Sequence, residues 1–175
     1  TRHYTEVAEA SPIPVILYNV PVFTGIDMPA SAIIELSKHP NIVGIKDSTS
    51  SLAKLMDLIK QSDKNFSVLV GNANLFFPGL LCGAQGAILA LCNIAPQICV
   101  DIYQLYQRRE YERAQDQVSR SHQLIKGVLS AGIPAIKAAM DLLGYAGGRP
   151  RSPFLPVDDK IQKEIKKHLK RTELL

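Results

Sequence analysis

The sequence predicts an α/β protein on parallel strands: four strand-and-helix units, the second half of an eightfold (β/α)8 TIM barrel, followed by a C-terminal helical extension. Three observations predict it. Short runs of branched apolar residues alternate with amphipathic segments at spacings of roughly 25 residues, the pattern of parallel strands joined by crossover helices. Proline and glycine punctuate the joints between those segments. Beyond the fourth unit the helical periodicity continues with no further strand. Strands joined in this way form either a doubly wound sheet or a barrel, and four units are half of a barrel. Residues 1–108 are therefore expected to be the half-barrel and residues 109–175 the extension.

The elements follow in order. A short helical piece around HYTEVAEA turns at Ser11 and Pro12 into IPVILYNVP, a strand ending at Pro21. After a loop with Thr24 and Gly25, MPASAIIELSKHP reads as a helix, with Pro29 where a first turn tolerates it and Pro40 as its stop. The strand IVGIK comes next. In DSTSSLAKLMDLIKQS, Ser and Thr are placed to cap the first turn, and Leu52, Leu55, Met56 and Ile59 share one helix face. FSVLVG is a third strand, NANLFFPGLLCG a short helix, and QGAILAL a fourth strand. APQICVDIYQLYQRRE is a helix with Pro96 near its start, and three more helices complete the chain.

Composition excludes several classes. The chain has 175 residues, 46% of them hydrophobic, enough to bury a core. Cys82, Cys92 and Cys99 are odd in number and lack metal-ligand spacing, which favours reduced, buried thiols in an intracellular protein. The four histidines are scattered, so no metal is expected. No secretory leader is visible, and Thr1 in first place suggests that sequence precedes it. GLLCGAQGAILALCNIAPQICV is uncharged and long enough to invite a membrane span. Pro78, Pro96 and the recurring Gln85, Asn93 and Gln97 argue instead for a covered strand with buried flanking helices. The net charge is +4. Half of it comes from the end of the chain, six basic against three acidic groups in DDKIQKEIKKHLKR less Glu173 just beyond, a helix on which Ile161, Ile165 and Leu169 form an apolar stripe and the lysines face water. A solvated face accounts for these lysines better than nucleic-acid or lipid binding does, because no aromatic or arginine cluster accompanies them.

In parallel barrels the open face lies at the C-terminal ends of the strands, where reacting groups collect. Here those ends carry Tyr18 and Asn19, Lys46 and Asp47, Gly71 and Asn72, and Asn93. Strand alternation puts Ile42, Gly44 and Lys46 on one face and Val43, Ile45 and Asp47 on the other, so Lys46 can point inward. An amine enclosed by apolar side chains loses solvation, which favours the neutral form able to attack a carbonyl carbon. Tyr18 lies 28 residues earlier, one unit along, where its phenol could relay protons to and from that amine. The competing readings are a snorkelling lysine and a packing tyrosine.

The stretches YNVPVFTG and VGIKDS resemble the pyruvate-dependent class I aldolase family that includes dihydrodipicolinate synthase and N-acetylneuraminate lyase. The likeness runs on through GAILALCNIAP and GIPAIKAAMDLLGYAGGRPRSPFLPV. Within the family, SPIPVILY, LSKHPNIVG and GIPAIKAAMDLLGYAGG look most like the mitochondrial 4-hydroxy-2-oxoglutarate aldolases. The resemblance implies that Lys46 forms a Schiff base with a 2-oxo acid and that Tyr18 is the proton relay. It further implies that Ser48 touches substrate, that the Ile88 carbonyl faces bound pyruvate, and that Gly71 leaves room beside the site. No cofactor is implied. A homotetramer is, and so is a mitochondrial matrix location in a eukaryote or a cytoplasmic one otherwise.

Two departures shape the expected function. Dihydrodipicolinate synthases carry an arginine before the Thr-Gly of the first motif, where it holds the second substrate's carboxylate. Phe23 stands there instead. Without that bidentate partner, cleavage of 4-hydroxy-2-oxoglutarate to pyruvate and glyoxylate becomes the leading expectation, with the dihydrodipicolinate synthase-type condensation as the alternative. The second departure is length. The sequence resembles the second half of a full barrel, without the threonine pair and the inter-subunit tyrosine of the family. An isolated half exposes sheet edges, so weak activity alone, or a noncatalytic role as partner of full-length subunits, is also expected.

Overall fold

The computed structural model describes residues 1–175. They divide into two compact units, Thr1–Ile88 and Leu89–Leu175.

The first unit is a parallel sheet backed by helices. Helix α1 (Arg2–Ala10) leads into β1 (Val15–Asn19), then a single turn α2 (Pro21–Thr24), α3 (Ala30–Leu36), β2 (Ile42–Asp47) and α4 (Leu52–Gln61). Strand β3 (Ser67–Val70), a 3-10 turn, α5 (Phe76–Cys82) and β4 (Gly86–Ala87) complete it. The strands lie in the order β1-β2-β3-β4, and each pairs in parallel with the next, the pattern crossover helices impose. Leu17, Ile45, Val68 and Val70 project from one sheet face into a core shared with Ile33 and Leu36 of α3 and Leu55 and Leu58 of α4. Gly44 lets β2 and β3 come close, since a side-chain carbon there would sit 2.7 Å from the Ser67 carbonyl oxygen.

Local chemistry sets the helix starts. The Ser51 hydroxyl accepts from the Lys54 amide at 3.1 Å and caps α4, as the Ser-rich lead-in predicts. Pro21 opens the turn α2 rather than closing a strand, and β1 already ends at Asn19. On α4 the buried residues are Leu55 and Leu58, whereas Met56 is 51% exposed. The apolar stripe is thus rotated toward Leu58 from the expected face. The fourth strand is shorter than QGAILAL suggests. Only Gly86 and Ala87 pair, with Leu69 and Val70. The Ile88 amide makes the last bond to β3, at Val70 O, and Ala90–Asn93 coils into a 3-10 turn instead.

The second unit is helical: α6 (Pro96–Gln107), α7 (Tyr111–Gly127), α8 (Gly132–Leu142) and α9 (Asp159–Arg171). Helix α6 packs on α7, and α9 packs on both α7 and α8. The Asp158 carboxylate caps α9 by accepting from the Ile161 amide at 2.7 Å. Ile165 and Leu169 are fully buried, while Ile161, expected in the same stripe, is more exposed than either. No helix is long and apolar enough to cross a membrane. Of the three cysteines, Cys99 is buried, Cys82 half-buried and Cys92 exposed, so burial of all three does not hold. Cys92 lies on the 3-10 turn that replaced the end of the expected strand.

Candidate active site

Alternation along β1 and β2 sorts the strand ends onto two faces. Leu17, Asn19, Ile45 and Asp47 point into the helix-backed core and are buried. Tyr18 and Lys46 point the other way, and they are direct neighbours in the β1–β2 register. The Lys46 Nζ lies 4.1 Å from the centroid of the Tyr18 ring, within the range of a cation–π contact. The two groups singled out from sequence are therefore brought together. The enclosure expected for the lysine is not formed by these residues: Lys46 is half-buried, and its face carries Ile16 at 50% and Tyr18 at 46% exposure.

Ser48, Gly71 and Ile88 form the next level on that face. Each continues its strand's ladder by one bond: the Ser48 amide donates to Asn19 O at 2.9 Å, the Gly71 amide to Asp47 O at 2.7 Å, and the Ile88 amide to Val70 O at 2.9 Å. The Ser48 hydroxyl is buried without a hydrogen-bond partner, an arrangement that costs free energy unless something else completes it. Gly71 explains the burial. A side-chain carbon at position 71 would sit 2.0 Å from the Ser48 Oγ, so the space that glycine vacates is filled by the serine. Asn72 caps the following turn, its side chain accepting from the Asn74 amide at 3.0 Å. Asn93, expected at the end of the fourth strand, is on the 3-10 turn, and its side chain donates to the Ala90 carbonyl at 3.0 Å.

This constellation, an amine beside a phenol with an unsatisfied hydroxyl one level above, falls in a stretch matched by a known family model. The model of the dihydrodipicolinate synthetase family matches residues 1–172. The chain belongs to the dihydrodipicolinate synthetase family. It is 34% identical over 172 residues to a 4-hydroxy-tetrahydrodipicolinate synthase of Methanospirillum hungatei, and 37% identical over 172 residues to one of Methanosarcina acetivorans. Each alignment covers 97% of this chain and 59% of the relative. The chain thus spans about three-fifths of the length of the curated relatives it matches. Among solved structures, the E. coli K12 prophage protein YagE in complex with pyruvate superposes with a TM-score of 0.92 at 29% identity, over 99% of this chain and 61% of that one. A dihydrodipicolinate synthase from Thermotoga maritima also superposes with a TM-score of 0.92, at 26% identity over the same shares.

Behind the sheet of this dihydrodipicolinate synthetase family member lies a polar cluster that the sequence reading missed. Asn19 and Asp47 are 2% and 3% exposed. The Asn19 Nδ2 donates to Asp47 Oδ1 at 2.6 Å and to Asp27 Oδ1 at 2.8 Å, and its Oδ1 accepts from the Met28 amide at 3.1 Å. Asp47 also accepts from the Thr49 amide at 3.2 Å and from the Thr49 hydroxyl. The Lys54 ammonium, from α4, bonds the Asp27 carboxylate and the Met28 carbonyl and stands 3.9 Å from Asp47. Lys54 and Asn19, both hydrogen-bonded to it, hold the Asp27 carboxyl below its ordinary value. The available signal was alternation: if Tyr18 and Lys46 face outward, the Asn and Asp that follow them must face the core, where a polar group needs partners.

Proposed function

We propose that this chain carries the imine-forming part of a pyruvate-dependent carbon–carbon synthase or lyase of the class I aldolase type. The observation that carries the proposal is the Lys46 amine 4.1 Å from the Tyr18 ring centroid, on the face where Ser48 holds an unpartnered hydroxyl. The neutral amine attacks the keto carbon of a 2-oxo acid, the former keto oxygen takes one proton from the amine and a second through Tyr18, and water leaves to give a cationic imine. Loss of a proton from the adjacent carbon gives an enamine, the nucleophile for condensation. The reverse sequence cleaves an aldol. Tyr18 is the proton relay in both directions. Ser48 meets the substrate's polar end, the Ile88 carbonyl faces it, and Gly71 makes Ser48 possible.

For the reaction itself, similarity to the two archaeal 4-hydroxy-tetrahydrodipicolinate synthases supports condensation of that type. One observation favours a second reading, cleavage of 4-hydroxy-2-oxoglutarate to pyruvate and glyoxylate: Phe23 is exposed at a position where a condensing enzyme would use a cation to hold its second substrate's carboxylate. Archaeal and bacterial relatives lend no support to a mitochondrial placement. The exposed Ile16, Tyr18 and Ile88, together with the three-fifths coverage, support reading the sheet as the second half of a barrel. In that reading residues 1–108 belong to the barrel, residues 109–175 are its helical extension, and the complete protein assembles as a homo-oligomer, a tetramer. Closure of the barrel then completes the pocket around Lys46, and the chain by itself is a weak catalyst.

Reduction with borohydride in the presence of pyruvate tests the proposal by peptide mass. A pyruvate-derived addition on Lys46, absent without pyruvate, is expected. Folded protein with Lys46 unmodified overturns the reading. With the imine established, turnover of aspartate semialdehyde against 4-hydroxy-2-oxoglutarate separates the two reactions, and Phe23→Arg should favour the former.

A further inference from the structure

We propose that Asn19 and Asp47 are positioning residues: a hydrogen-bonded clamp on the core side of the sheet that sets the approach of Tyr18 to Lys46 on its other side. Its catalytic consequence rests on Lys46 being the imine-forming amine; the clamp itself does not.

The argument begins with register. Tyr18 pairs with Lys46, and Asn19 pairs with Asp47, as consecutive rungs of the same parallel ladder. Each catalytic candidate is thus followed in sequence by a clamp residue that points to the opposite face. On the front face Lys46 is half-buried and Tyr18 46% exposed, so both side chains are partly open to solvent. What is fixed lies behind them. The Asn19 amide group bonds Asp47 and Asp27 through its nitrogen and the Met28 amide through its oxygen, so its plane cannot turn without breaking these bonds, of which the one to Asp47 is buried. The Asp47 carboxylate is held from the other side by Thr49, the residue that leads toward α4.

Lys54 ties the clamp to the helix layer. Its side chain is only 12% exposed, and its ammonium bridges Asp27 to the Met28 carbonyl while facing Asp47. Two carboxylates, one of them buried, therefore share one internal cation, which offsets the cost of their proximity. The strand ends that carry Tyr18 and Lys46 are thereby joined through Asn19–Asp47 and anchored through Asp27 and Lys54 to the start of α4. A slip of one residue in either strand would exchange catalytic and clamp residues between the faces. The buried pair opposes such a slip, because neither the Asn nor the Asp would then find its partner.

The test reads the front face while the back is altered. Lysines are labelled isotopically with 13C at Cε, the Lys46 signal is assigned by its loss in Lys46→Arg, and its upfield displacement by the Tyr18 ring is defined by Tyr18→Leu. In Asn19→Ala and in Asp47→Asn, the clamp predicts that at least half of that displacement is lost. In the same variants, the saturating rate of pyruvate trapping by cyanoborohydride should fall by about tenfold or more, as misplacement of a reacting group does, with labelling still reaching completion. An unchanged Lys46 signal in folded variants overturns the clamp. So does a lower labelling end point at an unchanged rate, which is what a purely structural role would give. If Asn19→Ala does not fold, Asp47→Asn, which keeps the side-chain volume, and Thr49→Val, which removes one support of Asp47, decide the matter by the same signal. Wild-type protein that shows the ring-shifted Lys46 but takes up no pyruvate sinks the Schiff-base reading, and the clamp is then judged on the resonance alone.

Discussion

The Lys46 ammonium sits against the face of the Tyr18 ring, 4.1 Å from its centroid, and not at the end where the hydroxyl is. The contact therefore separates two roles of one side chain. The ring can hold the cation whether or not the hydroxyl is present, and the hydroxyl can move a proton only if it exists.

Tyr18→Phe should accordingly leave the ring contact and the fold intact while slowing imine formation. Loss of a positioned proton-transfer group costs on the order of 10²- to 10⁴-fold. The trapping rate with pyruvate checks this, and a Phe variant as fast as wild type removes Tyr18 from the chemistry.

Gly71→Ala should destabilise the first unit by about 1–3 kcal/mol, the usual cost of overpacking. Its new carbon would meet the Ser48 Oγ at 2.0 Å and the Asp47 carbonyl oxygen at 2.9 Å. Ser48→Gly should relieve the first clash and leave the second. Denaturant melts of the two single variants and the double variant would show a partial rescue.

The carboxyl of Asp27 gives a pH dependence of known sign. Its folded value lies below the ordinary 3.8 because of Lys54 and Asn19. The group therefore adds stability that is fully present above pH 3.8 and is lost as pH falls through the folded value. Acid denaturation of Lys54→Met, compared with wild type, should lose the larger part of that component and keep the part due to Asn19, and melting temperatures between neutral pH and pH 3 would show the difference.

Cys92 should be alkylated readily near neutral pH. Its thiol is lowered to about 6, chiefly because the Cys99 thiol donates to it, and Cys99 is raised by the same contact. The iodoacetamide rate should therefore rise with a midpoint near pH 6, and Cys99→Ala should move that midpoint up toward the ordinary thiol range of about 8.5.

On α4, Leu58→Ala should cost about 2–5 kcal/mol, as expected of a fully buried leucine, whereas Met56→Ala should stay within about 0.5 kcal/mol. Equal losses at the two positions would restore the face expected from sequence.

That last pair shows where legibility ended. Leu52, Leu55, Met56, Leu58 and Ile59 fill a broad apolar arc, and periodicity finds the arc without saying which edge the sheet will cover. The choice is made by tertiary packing: Leu55 and Leu58 join Val68 and Val70 in the core. The fourth strand failed for a related reason, because strand length depends on how far the neighbouring strand continues, and β3 stops at Val70. Lys46 and Tyr18 were readable because alternation and strand ends are local properties. The same alternation already implied a buried Asn19 and Asp47, but their partners Asp27, Met28 and Lys54 come from a loop and a helix whose placement against the strand ends is tertiary and leaves no periodic signal.

The close fit of Ser48 into the space left by Gly71 also limits how these two positions can diverge. A side chain gained at 71 meets the hydroxymethyl group at 48 first, so losing that group removes the nearer of its two clashes, whereas glycine at 71 has no side chain to meet whatever stands at 48. Substitution at the pair is therefore directional: the serine must be surrendered first, and any lineage that takes the opposite order passes through an overpacked intermediate.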